Sequence, residues 1–193
     1  MKAFKGVNPD LTCRGYQFKK SGINQTEKAN CRENGFHCAE NPLDCLNYYP
    51  NWRSSVYFEV EATGDIDEDA SDSKISATQI IFKRKLTLEQ FLLEAVVYMV
   101  QHPDREWNSH VKKEKGDATD GFVVARGKEP RVRGRQGDIL VALKETVHTS
   151  EIQEVGFFQI EGNRYLPDVW YDVCGNAVEI ITEKSNAFGG VMD

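Results

Sequence analysis

One segment of this 193-residue chain has a period regular enough to fix an element by itself. Leu88, Phe91, Leu92, Ala95, Val96 and Met99 recur at the i, i+3, i+4, i+7 spacing of a helix with one apolar stripe. Thr87 and Gln90 fit a capping box, in which each side chain takes the other's free N–H. His102-Pro103 closes the segment, because the residue before proline is pushed out of the α region. The spacing predicts a helix over 88–101 whose stripe is core.

Two weaker stretches also read as helical. Residues 24–34 carry a faint pattern, with Asn24 or Thr26 as cap and Gly35 as stop. Asn41-Pro42 is a good helix start, since Asn accepts from free N–H groups and Pro at the first position lacks one. Leu43 and Leu46 would share a face there, and Pro50 ends it. The rest reads as strands. Ala3-Phe4 and Tyr16–Phe18 flank a break at Asn8-Pro9-Asp10, and Gly35–Ala39 is a short apolar run. Ser55–Thr63 sets Val56, Phe58 and Val60 against Tyr57, Glu59 and Glu61, the alternation of a half-buried strand. An acidic run, Asp65 to Asp69, then reads as a turn and loop before a strand at Ile75–Lys83.

After Pro103 the composition shifts. Residues 104–120 are polar, and from Gly116 the chain is strand-like and punctuated by glycine through Ala177–Ile181, with the tail after Lys184 expected to fray. This places a boundary near residue 104, giving an α+β cleft domain over 1–103 and a β-rich extension over 104–193. Net charge of −6 argues against bulk binding to nucleic acid or to an anionic membrane, and no apolar run approaches membrane-helix length. Five cysteines, an odd number, with no apolar signal segment at the start, point to free thiols in a reducing cytoplasm.

Three groups of residues could carry chemistry. Asp65, Asp67 and Asp69 alternate as in a calcium loop, but Ala70 stands where the loop needs glycine and Ser76 where it needs glutamate. Cys31, Cys38 and Cys45 are seven apart, too far for paired zinc ligands, and His37 and Cys38 point to opposite faces of a strand. Arg126, Lys128, Arg131, Arg133 and Arg135 crowd ten residues. They could grip phosphates or form a solvated edge, and no aromatics lie among them to stack bases.

Two resemblances follow from these residues. The chain resembles an uncharacterised family of phage and bacterial proteins at Lys2–Gly6, Thr12–Phe18, Gly35-Phe36-His37, Asn41–Asp44 and Tyr57–Val60, and again at Ile160–Gly162 and Pro167–Tyr171. Relatives carry glycine-, alanine- and serine-rich repeats suggesting a small β-solenoid, of which Gly116–Gly137 would be a remnant. Over about residues 3–85 the chain also resembles the ADP-ribosyltransferase fold of the small rifampin-modifying enzymes, at Phe4-Lys5-Gly6, Phe36–Ala39 and Tyr57–Asp69. It departs from them in having Lys5 for their His and Phe36 for their Tyr. This second resemblance implies an ADP-ribosyltransferase-like mixed sheet with helices, followed by a β-rich region. It implies that NAD is held by Lys5, Gly6, Arg14, Phe36, His37 and Tyr48, and that Asp67, Glu68 or Asp69 supplies the catalytic carboxylate. The expected function is an NAD-binding ADP-ribosyltransferase-like protein. The alternative is a non-enzymatic phage or prophage module that engages a host protein.

Overall fold

The computed structural model describes residues 1–179 other than 32, 70, 71, 106 and 107. The strand expected at 177–181 and the tail after Lys184 therefore lie partly or wholly outside the described residues. The N-terminal half contains β1 (Lys2–Val7), β2 (Thr12–Cys13), β3 (Tyr16–Gln17), β4 (Ile23–Gln25), β5 (Phe36–Ala39), β6 (Val56–Glu68) and β7 (Lys74–Lys85). Helix α1 (Leu88–Gln101) follows, then β8 (Val111–Asp117), β9 (Phe122–Arg133), β10 (Ile139–Glu145), β11 (Ile152–Gln159), β12 (Trp170–Tyr171) and β13 (Ala177–Val178).

In the first sheet β1 pairs with β6 and β5, β5 with β7, and β7 with β6, all antiparallel, so the sheet closes on itself. β4 adds to the outer edge of β7. Alternation sorts the side chains. Ala3, Val7, Phe36, Cys38, Phe58, Val60, Ile75, Ile80 and Phe82 form the inner core. Glu59 and Glu61 point outward and pair across the strand with Arg84 and Lys83.

α1 forms as its period demands, with both bonds of the Thr87–Gln90 capping box in place. One face meets the outside of the closed sheet, where Phe91 packs on Tyr57 and Trp52. The other meets the second sheet, and Phe4, Leu43, Phe91, Leu92, Val124, Val141 and Leu143 belong to one core cluster. The two sheets are thus glued through a single helix.

The second sheet is built differently. Val111, Val124 and Val141 stack in parallel register across β8, β9 and β10, while Lys115–Asp117 stacks on Arg131–Arg133. Each strand passes a corner and returns above the previous one, the geometry of a short coil. At the corner the Glu114 carboxylate accepts the N–H groups of Lys128 and Glu129, at 2.9 and 3.0 Å. A Cβ on Gly127 would lie 2.3 Å from that carboxylate, so a side chain there would push it off these two N–H groups. Strands buried on both faces read as unbroken apolar runs, which accounts for Phe122–Ala125 and Ile139–Leu143.

Four expectations are corrected. The protein is mostly β, 48% strand and 11% helical with two helices among the described residues, so it is not a mixed α+β ADP-ribosyltransferase-like fold. No helix forms among the described residues of 24–34. Ile23–Gln25 satisfies its backbone on β7, and the buried Asn24 side chain bonds Lys19 and Ile80. The start at Asn41 holds, its side chain accepting from Leu43 N–H, but yields only a 3-10 turn, Pro42–Asn47. The acidic run is also strand. Gly64, at φ +77°, marks a bulge, after which Ile66, Asp67 and Glu68 pair with Ala77, Ser76 and Ile75.

Leu92 is fully buried in the shared core. Leu92→Asp places an unpaired charge there and should cost about 4 kcal/mol or more. A thermal melt of the mutant within a degree or two of wild type would show that this face does not hold the sheets together.

Candidate functional site

The closed sheet has one weak seam. β1 and β5 share a single pair, Phe4 with Ala39, and then part. Where they part, a cleft of about 630 Å³ opens, a volume typical of small-molecule sites. Lys5, the residue after the last pair, points inward like Ala3 and Val7 and is only 4% exposed. Its Nζ donates to the carbonyl of His37 on the parted strand at 2.7 Å and lies 5.0 Å from the Phe18 ring centroid. Among the described residues no carboxylate lies within ion-pair distance of it.

The outer wall is the β2–β3 hairpin, which belongs to neither main sheet. Its turn is Arg14-Gly15, with φ of +46° and +82°, the positive values that two-residue hairpin loops require. The Asp10 carboxylate braces its base by accepting from the N–H and hydroxyl of Thr12. This sets the exposed Arg14 at the mouth, and Tyr16 beside it with its ring on Phe18 and Phe36, at 4.7 and 4.9 Å. The opposite lip is Tyr48, whose hydroxyl accepts from Lys74 Nζ at 2.7 Å. Lys74 is neutralised by Asp69 at 3.1 Å and Asp72 at 4.0 Å. Asp44, also in the lining, is turned onto donors: Ser73 N–H, Ser73 hydroxyl and Asn108.

The electrostatics are those of a cationic pocket. Burial, aided by the charges of Lys5, Lys74 and Arg14, lowers the pKa of His37 below its ordinary 6.5. Burial pushes the Cys38 thiol up to about 12 and the Cys45 thiol higher still, so neither is a thiolate nucleophile.

Lys5, Gly6, Arg14, Phe36, His37 and Tyr48 all line this cleft. Asp67 and Glu68 do not. They lie exposed on β6, where Asp67 accepts the Cys31 N–H at 2.6 Å, and Asp69 pairs with Lys74 of the lining. Sequence reasoning missed Phe18, Tyr16 and Lys74. For Lys74 a signal existed, a lone cation heading a strand directly after five acids in eight residues. Among the described residues no three His, Cys, Asp or Glu side chains group to hold a metal ion, and no helix is long and apolar enough to cross a membrane. Four of the five cations of the basic stretch have internal partners, and Arg135 is exposed. Arg126 pairs with Glu145, Lys128 with Glu145 and two carbonyls, Arg131 with Glu129, and Arg133 with Asp117 while stacking on Trp170.

The His37 shift has a measurable sign. Unfolded imidazole takes a proton near pH 6.5, and the folded one only at lower pH, so acid favours unfolding in that window. Melting temperature should fall as pH drops from 7 toward 5, and less steeply in His37→Gln. An unchanged slope would remove His37 from the account, leaving His110, whose pKa burial also lowers.

No curated protein and no solved structure matches the chain. Every residue lining the cleft falls at or before Lys74. Residues 1–94, which contain every described residue of the cleft lining, match the family described as Domain of unknown function (DUF7666).

Proposed function

We propose that the chain is a small-ligand binding module whose cleft takes a phosphate-bearing molecule with an aromatic ring, the class of nucleotides to which NAD belongs. The observation that carries this reading is Lys5, an ammonium 4% exposed and compensated by one carbonyl and one ring face. Burying a charge without a counter-ion costs several kcal/mol. An anion delivered into the cleft offsets that cost. The aromatic rims offer planar partners for a base or nicotinamide.

Binding without transfer is the simpler reading. A ribosyl-transfer step needs a carboxylate against the ribose; Asp67 and Glu68 lie outside the lining, Asp69 is paired to Lys74, and Asp44 in the lining is turned onto Ser73 and Asn108. The five cysteines are free thiols, which suits a reducing compartment such as the cytoplasm.

Nucleotides at saturating concentration should raise the melting temperature; a hundredfold excess over Kd adds about 2.7 kcal/mol. Lys5→Met should cut affinity by about 10- to 100-fold, the value of a hydrogen bond to a charged group. Asp67→Asn should leave affinity within about twofold and NAD unconsumed. Failure of AMP and NAD alike to bind the folded wild type would end this reading. Hydrolysis of NAD that Asp67→Asn, Glu68→Gln or Asp69→Asn abolishes would replace it with an enzyme.

A further inference from the structure

Resting on that reading of the cleft, the geometry points to a direction of entry. We propose that the site takes a nucleotide phosphate-first and is built for a terminal phosphate monoester, a 5′-mononucleotide, rather than for the internal diphosphate of a dinucleotide.

The argument is one of depth. The lining sorts into a buried floor and an exposed rim. Lys5, Phe18, Phe36 and Cys38 are buried, whereas Tyr16 and Tyr48 are 37% and 49% exposed and Arg14 stands in solvent. Below Lys5 the seam is shut by the pair Phe4 with Ala39, and the Phe18 ring lies against its ammonium. A group that reaches Lys5 therefore has an exit only the way it came. The end of a molecule can do that. An internal diphosphate, with a nucleoside on each side, would have to fold both arms back through one mouth.

Charge agrees with depth. A phosphate monoester carries about −1.5 to −2 at neutral pH. Of the three cations around the cleft, Lys74 is already matched by Asp69 and Asp72. Lys5 and Arg14 remain, one at the floor and one at the mouth, on β1 and on the hairpin turn. Asp44, the acidic group in the lining, is tied to Ser73 and Asn108. With the phosphate on the floor, the ring of a mononucleotide lies at the rim. There Tyr16 is held by a tilted contact with Phe18 and an edge contact with Phe36, which leaves it positioned for stacking.

Titration calorimetry of the wild-type chain with AMP, adenosine and NAD tests this directly. AMP should bind at least tenfold tighter than NAD, and adenosine should bind at least tenfold more weakly than AMP. NAD binding as tightly as AMP, while both bind, would overturn the direction of entry and leave the nucleotide reading standing. Adenosine equal to AMP would overturn the role of the phosphate. No binding by any of the three would overturn the nucleotide reading itself. Tyr16→Ala removes a ring that is 37% exposed, and an unchanged melting temperature separates lost stacking from lost packing on Phe18 and Phe36. It should weaken AMP by about fivefold or more, the low end for stacking one base, and leave competition by inorganic phosphate unchanged. Full AMP affinity in that variant would put the ring elsewhere and sink the proposal.

Discussion

The first sheet closes through one residue pair, and what the molecule can do depends on that closure being incomplete. A closed antiparallel sheet normally leaves no edge, since each strand satisfies the next. Here β1 and β5 meet at Phe4 and Ala39 and then separate. The Lys5 side chain reaches the His37 carbonyl across the gap. A lysine ammonium has thus taken the place of a ladder bond. The same substitution puts a positive charge at the floor of a cavity, so one local choice makes both the opening and its chemistry.

The opening survives because the rest of the closed sheet is overdetermined. β6 and β7 pair over nearly their whole length, and the ion pairs of Glu59 and Glu61 with Arg84 and Lys83 fix their register on the outer face. α1 covers the outside of β1 and β6 and joins them to the coil through a shared core. The second sheet is therefore a buttress as well as an appendage. Arg126 shows how tightly it is tied: buried in β9, it bonds Glu145 and the carbonyls of Pro103 and Ser150, stitching the end of α1 to two strands and a loop.

What the sequence disclosed follows the range of the interactions involved. The 88–101 helix was legible to the residue because its cap, its stripe and its stop are all local. The strand at 55–63 was legible in phase but not in length, since whether an acidic run continues a strand is decided by the strand beside it. Residues 24–34 failed for the same reason, because Asn24 finds its partners on Lys19 and Ile80 rather than within a helical turn. The cleft is a mixed case. Lys5, Arg14, Phe36, His37 and Tyr48 were placed together by likeness of motif, yet the closed sheet that gathers them differs from the fold that likeness implied. The acidic run, which reads as a turn at a sheet end, is a bulge that carries the strand onward and sets Asp67 and Glu68 outside the cleft lining.

Two buried cations show why the cleft, rather than the basic stretch, is the place to look for a ligand. Arg126 is 1% exposed and Lys5 is 4% exposed, so both have lost nearly all their water. Arg126 received a carboxylate and two carbonyls in exchange. Nothing further is asked of it, and a phosphate would have to displace Glu145 to reach it. Lys5 received one carbonyl and the face of a ring. Both contacts favour a cation, but neither neutralises one. A fold can tolerate such a deficit where solvent or a ligand reaches the charge, and Lys5 lies at the wall of a cavity. Counting cations along the sequence ranks 126–135 first. Counting what each cation lacks ranks Lys5 first, and that second count is available only once the strands have been closed and one seam found open.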